Sequence, residues 1–225
     1  FNNPDFTYWI GVAQSDGHFK KQISKNQNRV RFSIILKVGL KSIPMLEKFR
    51  KISQDIFYIK GSSYTYTTPE GFTNYNYQFG CKNLLSIFNN FEINFKICSP
   101  PDWILKDPKL FGSYLAGVID GDGDIRITRP KYPQCFVRIS SGQALTNLTE
   151  NIKSILNCGS HIVKRQGIKK IANRKFFSTG YVTEFKISSK NISYIKKYVI
   201  DYLALTYKRN KINEYIKIKR VAAEI

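Results

Sequence analysis

Two nine-residue stretches of the chain combine apolar and small residues with a closing aspartate–glycine pair. They are Trp9–Gly17 and Leu115–Gly123, and they share the glycine at position three, the valine at position four, the aspartate at position eight and the final glycine. Equivalent positions lie 106 residues apart, nearly half of the 225-residue chain. A repeat of this kind indicates an internal duplication. Carboxylates at matched positions are candidate ligands for a divalent cation.

The spacing of small residues predicts that each stretch forms a helix and that the two helices pack together. Gly117 and Gly121 lie four residues apart, on one helix face, and Gly11 and Ser15 have the same spacing. Small residues at this spacing let two helix backbones approach closely. The final glycine of each stretch is predicted to cap its helix in the left-handed conformation.

Packing of the two helices is expected to bring Asp16 and Asp122 together. Each carboxylate would lie at the negative end of a helix dipole, and the two would repel one another. A divalent cation relieves that repulsion. A single aspartate at a helix end is usually a solvated surface residue, but the matched pair favours a functional site.

The segments after the two motifs repeat the same order of elements. Alternating polar and apolar residues predict strands, and amphipathic segments predict helices. Each half is interpreted as an αββαββα unit, so the predicted fold is α+β with two tandem pseudo-symmetric units, each with a four-stranded antiparallel saddle. The predicted boundaries are 1–98 for the first half, 99–110 for a linker and 111–225 for the second half. The second motif helix is predicted at 112–122, and a basic loop at 166–180.

Composition limits the classes of protein to consider. The net charge is +20 and the pI about 9.8, with a net charge of +6 on residues 1–105 and +14 on residues 106–225, which points to a polyanionic partner. Four scattered cysteines and two histidines argue against a zinc site and favour reduced thiols. No apolar run is long enough to span a membrane, and no signal peptide is apparent. We therefore expect an intracellular protein without a membrane partner.

Alternation in the strands leaves a row of polar side chains on one face of each predicted sheet. Such side chains read base edges in the major groove, where a β-ribbon fits. Any one of them is equally well explained as a solvated strand residue. The predicted contacts of the first half are Lys20, Gln22, Ser24, Arg29, Arg31, Ser33, Asn74, Asn76 and Gln78. Those of the second half are Arg126, Thr128, Arg138, Lys164, Gln166, Glu184 and Lys186.

The second motif resembles the signature of the LAGLIDADG homing endonucleases, and the first motif is a looser copy. Two motifs in one chain resemble the monomeric, pseudo-twofold members of that family. The resemblance implies a sequence-specific nuclease, encoded in an intron or intein-like element, that hydrolyses one phosphodiester on each strand across the minor groove of a long double-stranded DNA target. It implies Mg²⁺ as the cofactor, with Ca²⁺ or Mn²⁺ as substitutes in crystals, and an organellar or prokaryotic compartment.

The resemblance also implies roles for individual residues. Asp16 and Asp122 occupy the position that binds metal and carries catalysis, and a backbone ligand beside Ser15 is left open. Gln14 replaces the acid usual at position six, and its counterpart Asp120 is expected to be structural rather than catalytic.

Four peripheral residues complete the predicted catalytic set. In the second half, Lys208 matches the lysine near the last helix and Gln143 matches the polar residue after the second strand. In the first half, Lys96 is the counterpart of Lys208. Leu40 occupies the polar position, so Lys37 is named as its substitute, and the two active sites need not be equally active.

Two further functions remain open from the sequence. One is an RNA-binding maturase on the same fold, with intron RNA as its partner. The other is a regulator that binds DNA without cleaving it. Retention of both aspartates favours the nuclease, because a protein that only binds nucleic acid gains nothing from two carboxylates beside a phosphate.

Overall fold

The computed structural model describes residues 3–24, 29–128, 131–171 and 174–221, apart from the side chains of 23, 24, 29, 168–171, 174–178, 220 and 221.

The two motif helices begin with the same type of N-terminal capping sequence. Helices α1 (Pro4–Ser15) and α5 (Pro108–Asp122) each start with a proline, and the residue before it accepts a hydrogen bond from the backbone. Asn3 accepts from the amide of Asp5 at 2.8 Å, and Asp107 from that of Lys109 at 2.7 Å. Because of this cap, α5 starts earlier than the predicted 112.

Both halves have the predicted αββαββα order, which confirms the α+β fold. The first half continues with β1 (Gly17–Ser24), β2 (Arg29–Val38), α2 (Ile43–Phe57), β3 (Ser62–Thr67), β4 (Thr73–Cys81) and α3 (Leu84–Asn90). A short helix, α4 (Asp102–Leu105), precedes α5. The second half continues with β5 (Gly123–Thr128), β6 (Gln134–Ser141), α6 (Thr146–Ile155), β7 (Ser160–Ile171), β8 (Arg174–Ile187), α7 (Ile192–Tyr198) and α8 (Thr206–Val221). Single 3-10 turns lie at Leu40–Ser42 and Ile200–Tyr202.

The strands form two antiparallel four-stranded sheets of the same topology. Their orders are β1-β2-β4-β3 and β5-β6-β8-β7. The prediction of a basic loop at 166–180 is wrong, because β7 and β8 pair through this region from Ser160 opposite Phe185 to Ile171 opposite Arg174. Polar residues on both faces of these strands hide the alternation by which a strand is recognised.

Helices cover one face of each sheet, and the buried residues of both halves form one hydrophobic cluster. Ile34 and Phe79 of the first sheet are fully buried, as are Val137 and Ile139 of the second. No helix in the described part of the chain is long and apolar enough to cross a membrane. The segment 99–110 contains α4 and the first turn of α5. The division of the chain at this segment stays a prediction.

Candidate active site and nucleic-acid interface

Helices α1 and α5 pack together along their small residues. A Cβ atom added at Gly11 would lie 2.3 Å from the carbonyl oxygen of Tyr114, and one added at Gly117 would lie 2.2 Å from that of Tyr8. At Gly121 an added Cβ would lie 2.1 Å from the hydroxyl of Ser15. Real Cβ atoms do not come this close to other heavy atoms, so only glycine allows this helix–helix distance.

The glycines that end the motifs serve a different purpose from the one predicted. The left-handed cap is wrong for Gly123, which is extended with φ −86° and ψ 147°, and Gly17 is not among the described glycines with positive φ. A Cβ added at Gly17 would lie 2.3 Å from the carbonyl oxygen of Ala13, and one at Gly123 would lie 2.4 Å from that of Ile119. Glycine is needed because the chain passes directly from helix into strand, and at this turn a side chain would collide with the carbonyl oxygen four residues earlier.

Asp16 and Asp122 lie at the carboxyl ends of the two packed helices, within electrostatic range of each other. Burial raises the pKa of both carboxyl groups, and repulsion by Asp16 helps to raise the pKa of Asp122 to about 7. The second motif contacts the first at this end, since a Cβ added at Gly121 would lie 3.6 Å from the Cβ of Asp16. An opposing cation would lower both pKa values, and the site is therefore poised to bind one.

The positive charge of Lys208 acts against burial and lowers the pKa of both Asp16 and Asp122. It is 4% exposed, and its ammonium donates to the carbonyl oxygens of Ile119 at 2.6 Å and Asp120 at 2.9 Å. Burial lowers the pKa of Lys208, against the attraction of nearby carboxylates. Lys208 therefore fixes the last turn of α5 through these hydrogen bonds, and its charge also stabilises the ionised form of the two aspartates.

Lys96 and Gln143 meet on the opposite side of the site. Both are exposed, and the side-chain amide of Gln143 donates to the carbonyl oxygen of Lys96. Together with Gln14, Ser15 and Asp122 they line a cleft of about 1030 Å³. The cleft is a natural entrance to the carboxylates for a large ligand.

Lys37 lies on β2 opposite Asn76 of β4 and is exposed. It is not among the residues that line the cleft. Its predicted catalytic role stays a prediction, as do those of the other peripheral residues.

Position six of each motif is held by the tyrosine that immediately precedes the other motif. The hydroxyl of Tyr8 donates to Asp120 at 2.7 Å, and the equivalent hydroxyl of Tyr114 donates to Gln14 at 2.6 Å. Asp120 also accepts from the backbone amides of Ala204 at 2.6 Å and Leu205 at 3.3 Å, just before α8. Asp120 is 1% exposed, so its surroundings are those of a structural residue.

Gln14 has the opposite hydrogen-bonding environment to Asp120. Its side-chain amide donates to the backbone carbonyls of Asn94 at 2.7 Å and Ser99 at 3.2 Å. A carboxylate at this position would face two carbonyl oxygens. The glutamine is therefore explained by the backbone groups that it meets.

The first sheet carries its predicted polar residues on the face opposite the helices. Gln22 and Lys20 of β1 pair with Arg31 and Ser33 of β2. Ser33 also pairs with Gly80 of β4, and Gln78 lies two residues before Gly80 on the same face. Asn74 and Asn76 lie on the same face of β4, although Asn76 and Ser33 are buried. The side chains of Ser24 and Arg29 lie outside the described residues.

Sequence reasoning missed an aromatic pair on the same face. Tyr64 and Tyr66 of β3 pair with Asn76 and Asn74, and about half of each tyrosine is exposed. The signal was present, because both tyrosines alternate with threonine or serine along the strand. Aromatic side chains on a polar sheet are suited to contacts with bases or sugars.

The second sheet carries some of its predicted residues on the polar face. Arg126, Thr128 and Arg138 share that face, and Lys186 lies opposite Phe136 in the same row as Arg126. Glu184 lies 3.6 Å from the guanidinium of Arg138 and 3.8 Å from His161. Glu184 therefore orients Arg138 and reduces the local positive charge.

By strand register Lys164 and Gln166 lie on the other face of the second sheet, although Gln166 also lines the cleft that contains Asp122. Lys164 pairs with Tyr181, which in turn pairs with Ser141 on the face that the helices cover. Glu184 pairs with His161 and with Arg138 on the polar face. The prediction that Lys164 and Gln166 share a face with Arg138 is therefore corrected. Arg165, which was not predicted, shares the polar face.

The donor set is suited to a hard divalent cation. Magnesium is typically held by one or two carboxylates, with water and substrate phosphates as the remaining ligands. Asp122 supplies such a carboxylate in the lining of the cleft, and Asp16 supplies a second one next to Ser15, which also lines it. No cluster of three or more histidine, cysteine, aspartate or glutamate side chains is found in the described ranges, so a cation held by these two aspartates would take its other ligands from water and phosphate.

Comparison with solved structures identifies the fold. A variant of the homing endonuclease I-DmoI matches with a TM-score of 0.57 and 14% identity, over 87% of this chain and 95% of that one. The LAGLIDADG homing endonuclease I-SmaMI, bound to cleaved DNA, matches with a TM-score of 0.54 and 14% identity over 100% and 91% of the two chains. I-GzeII, in complex with its DNA target, matches with a TM-score of 0.55 and 13% identity over 99% and 91%. I-DmoI–DNA complexes include ones with Mg, Mn and Ca.

Sequence comparison gives one curated relative and no matching family model. The intron-encoded RNA maturase bI4 of Saccharomyces cerevisiae is 31% identical over 119 residues, which is 52% of this chain. The chain spans only 18% of the length of that maturase. Together with the structural matches, these findings show that the chain has the fold of the two-motif LAGLIDADG homing endonucleases, as the motifs indicated.

Proposed function

We propose that the chain is a sequence-specific, divalent-metal-dependent endonuclease that cuts both strands of a DNA duplex. The observation that carries the proposal is the pairing of Asp16 and Asp122 at the ends of two closely packed helices, between two polar sheets. Two carboxylates whose pKa values are raised by burial are costly to a protein that only binds DNA. They are useful to one that holds cations against phosphate.

In this proposal Asp16 and Asp122 would hold the cations, which supply Lewis-acid stabilisation of charge at the scissile phosphates. Lys208 favours the ionised form of both carboxyl groups and fixes the last turn of α5. Lys96 and Gln143 line the cleft and can order water near a phosphate. Each aspartate serves one strand of the duplex.

The polar faces of the two sheets are the proposed reading surface for the duplex. The net charge of +20 supplies the electrostatic attraction, and Arg, Asn and Gln side chains on the strands supply contacts with base edges. Structurally similar homing endonucleases have been solved with DNA targets, which supports this choice of partner. A monomer contains both halves of the surface.

The proposal is tested by selection from a randomised duplex DNA library with Mg²⁺, in which bound and cut sequences are read separately. We expect one long site to be recovered in both pools. Asp16→Asn and Asp122→Asn should each reduce double-strand cleavage at least about a hundredfold while leaving binding intact. If each variant still nicks one strand, the assignment of one aspartate per strand is supported. Cleavage at the normal rate by both variants would refute the site.

A second candidate is a role as an RNA maturase, alone or with cleavage. The observation that favours it is the 31% identity with the intron-encoded maturase. In either role the chain would be the product of a mobile intron, as the intron-encoded relative suggests, and an organellar or prokaryotic compartment stays a prediction. Splicing of the transcript of its own intron, with and without added protein, tests the maturase role.

A further inference from the structure

A pocket in the second half lies between α7 and α8, where β8 ends. Its volume is about 650 Å³, within the range of pockets that bind small ligands. Its polar lining residues are Lys186, Ser188, Ser189, Ser193, Lys196 and Lys219. We call it the lysine–serine pocket.

The helical layer, not the polar sheet face, builds most of this pocket. Tyr215 and Ile216 of α8 are buried and form part of its apolar lining. The hydroxyl of Tyr215 donates to the carbonyl oxygen of Ile187 at 3.1 Å, which fixes α8 against the end of β8. The pocket lining does not include either motif aspartate.

The pocket is cationic and its lysines have no acidic partners. Its lining contains three ammonium groups, three serine hydroxyl groups and the hydroxyl of Tyr215, and no carboxylate. Lys196 and Lys219 are exposed, and no ion pair joins any of the three pocket lysines to an acid within the described ranges. Three unpaired cations around a cavity repel each other, and an anion removes that repulsion.

The lining chemistry points to a phosphate. Ammonium and hydroxyl groups are the donors that contact nucleic-acid phosphates. A second cleft of about 550 Å³ shares Lys196 and Ile216 with the pocket and adds Asn210, Asn213, Lys217 and one carboxylate, that of Glu214. The two clefts therefore continue along α8, as a chain of phosphates requires.

We propose that the lysine–serine pocket binds a phosphate in the backbone of a single-stranded nucleic acid, on the helical side of the second half, where Lys186 is the one lining residue that belongs to a sheet. A cavity of about 650 Å³ between two helices has room for a phosphate group, and a flexible single strand can bend its backbone into such a pocket more easily than a stiff duplex can. The proposal does not depend on DNA cleavage.

The test compares two double variants that remove the same charge. Lys196→Gln with Lys219→Gln alters the pocket, and Lys51→Gln with Lys106→Gln alters two exposed lysines elsewhere. Binding of fluorescent 15-nucleotide oligouridylate and oligothymidylate is measured by anisotropy across a salt series. A third variant, Ser193→Asp, introduces a carboxylate into the pocket. Near-ultraviolet circular dichroism checks that each variant is folded.

We expect the pocket variant to bind the oligonucleotides at least about fivefold more weakly, with a salt slope smaller by about 1.4. Ser193→Asp should weaken binding as well, and the control variant should match the native chain. Binding to protein already saturated with selected duplex in EDTA should persist. Equal losses in both double variants, or complete competition by the duplex, would overturn the proposal. If only one of the two oligonucleotides binds at the pocket, the one that binds shows whether the natural ligand is DNA or RNA.

Discussion

The two halves use the same fold but different chemistry at equivalent positions. Position six faces backbone carbonyls in the first half, where Gln14 donates, and backbone amides in the second half, where Asp120 accepts. The lysines differ in the same way, since Lys208 is buried beneath α5 and Lys96 is exposed in the cleft. The duplicated halves have therefore diverged where their connecting segments differ, and they are no longer interchangeable.

The shared contact between the halves has stayed symmetrical. A Cβ added at Gly11 or Gly117 would meet a carbonyl oxygen of the other helix at nearly the same distance, and the tyrosine before each motif bonds to position six of the other. The close contact between the two helix backbones admits only glycine at these positions. The residues at position six meet different connecting segments, and there the two halves carry different side chains. The following predictions test this contrast.

Loss of position six should cost more in the second half than in the first. Asp120→Ala leaves the hydroxyl of Tyr8 and two backbone amides without an acceptor, which should lower the free energy of unfolding by about 3 kcal/mol or more, since each buried donor left unpaired costs about 1–3 kcal/mol. Gln14→Ala leaves neutral groups unpaired, for a loss of about 1–3 kcal/mol. Urea unfolding measures both variants. Equal losses would mean that the two environments are energetically alike.

The motif glycines should be equally sensitive in the two halves. Gly11→Ala and Gly117→Ala each force a methyl group onto a helix carbonyl, so each should cost about 3 kcal/mol. Gly142→Ala is the matched control, because an added Cβ there meets nothing within 4 Å. Thermal unfolding would detect the difference. A mild effect at only one motif glycine would show that the contact is less symmetrical than described.

The two lysines should separate stability from activity. Lys208→Met removes the donor to two carbonyl oxygens at the end of α5 and should destabilise the protein by about 1–3 kcal/mol. Lys96→Met should change stability by no more than about 0.5 kcal/mol, because the residue is exposed. Unfolding and cleavage are measured for both variants. A large loss of stability in Lys96→Met would contradict the comparison.

Stability without metal should depend on the ionisation of Asp122. Its folded pKa is about 7, above the ordinary 3.8, so between these values the folded state holds a proton that the unfolded state has lost. Stability conferred by that proton is therefore lost as the pH rises from about 4 to 7. Asp122→Asn should stabilise the protein in EDTA by about 1–2 kcal/mol at pH 8, and less at pH 5.

Metal provides the control for this pH effect. Added Mg²⁺ should stabilise the native chain at pH 8 more than it stabilises Asp122→Asn, because a ligand that binds the folded state raises its stability. Asp102→Asn, at an exposed position, should show no comparable gain. Melting temperatures at pH 5 and pH 8 give the comparison, and a gain in Asp122→Asn that is larger at pH 5 would reverse the predicted sign.

Features that depend on neighbouring residues were predicted well from the sequence. The small-residue spacing of the motifs and the alternation in β2 are local patterns, so they identified the helix pair and the first sheet. The role of the final glycines was not predictable in this way. Gly123 is required by its distance to the carbonyl of Ile119 rather than by its own φ angle, and such a distance follows only from the folded turn.

Features set by long-range pairing were harder to predict. Nothing local distinguishes the buried Lys208 from a surface lysine, because its partners lie nearly 90 residues away. The faces of β7 were misassigned for a related reason. Its outer part is polar on both sides, so only its pairing with β8 decides which residues share a face with Arg138.

The smallest predicted effect tests this register directly. Arg165 and Lys164 are exposed neighbours on opposite faces of β7, and Arg165 shares the face that contains Glu184 and Arg138. Arg165→Gln should weaken duplex binding and reduce the salt slope by about 0.9, the value for one phosphate contact. Lys164→Gln removes the same charge and should change the slope less. If the two slopes fall equally, the duplex contacts the hairpin from both faces, and the second sheet binds DNA differently from the first.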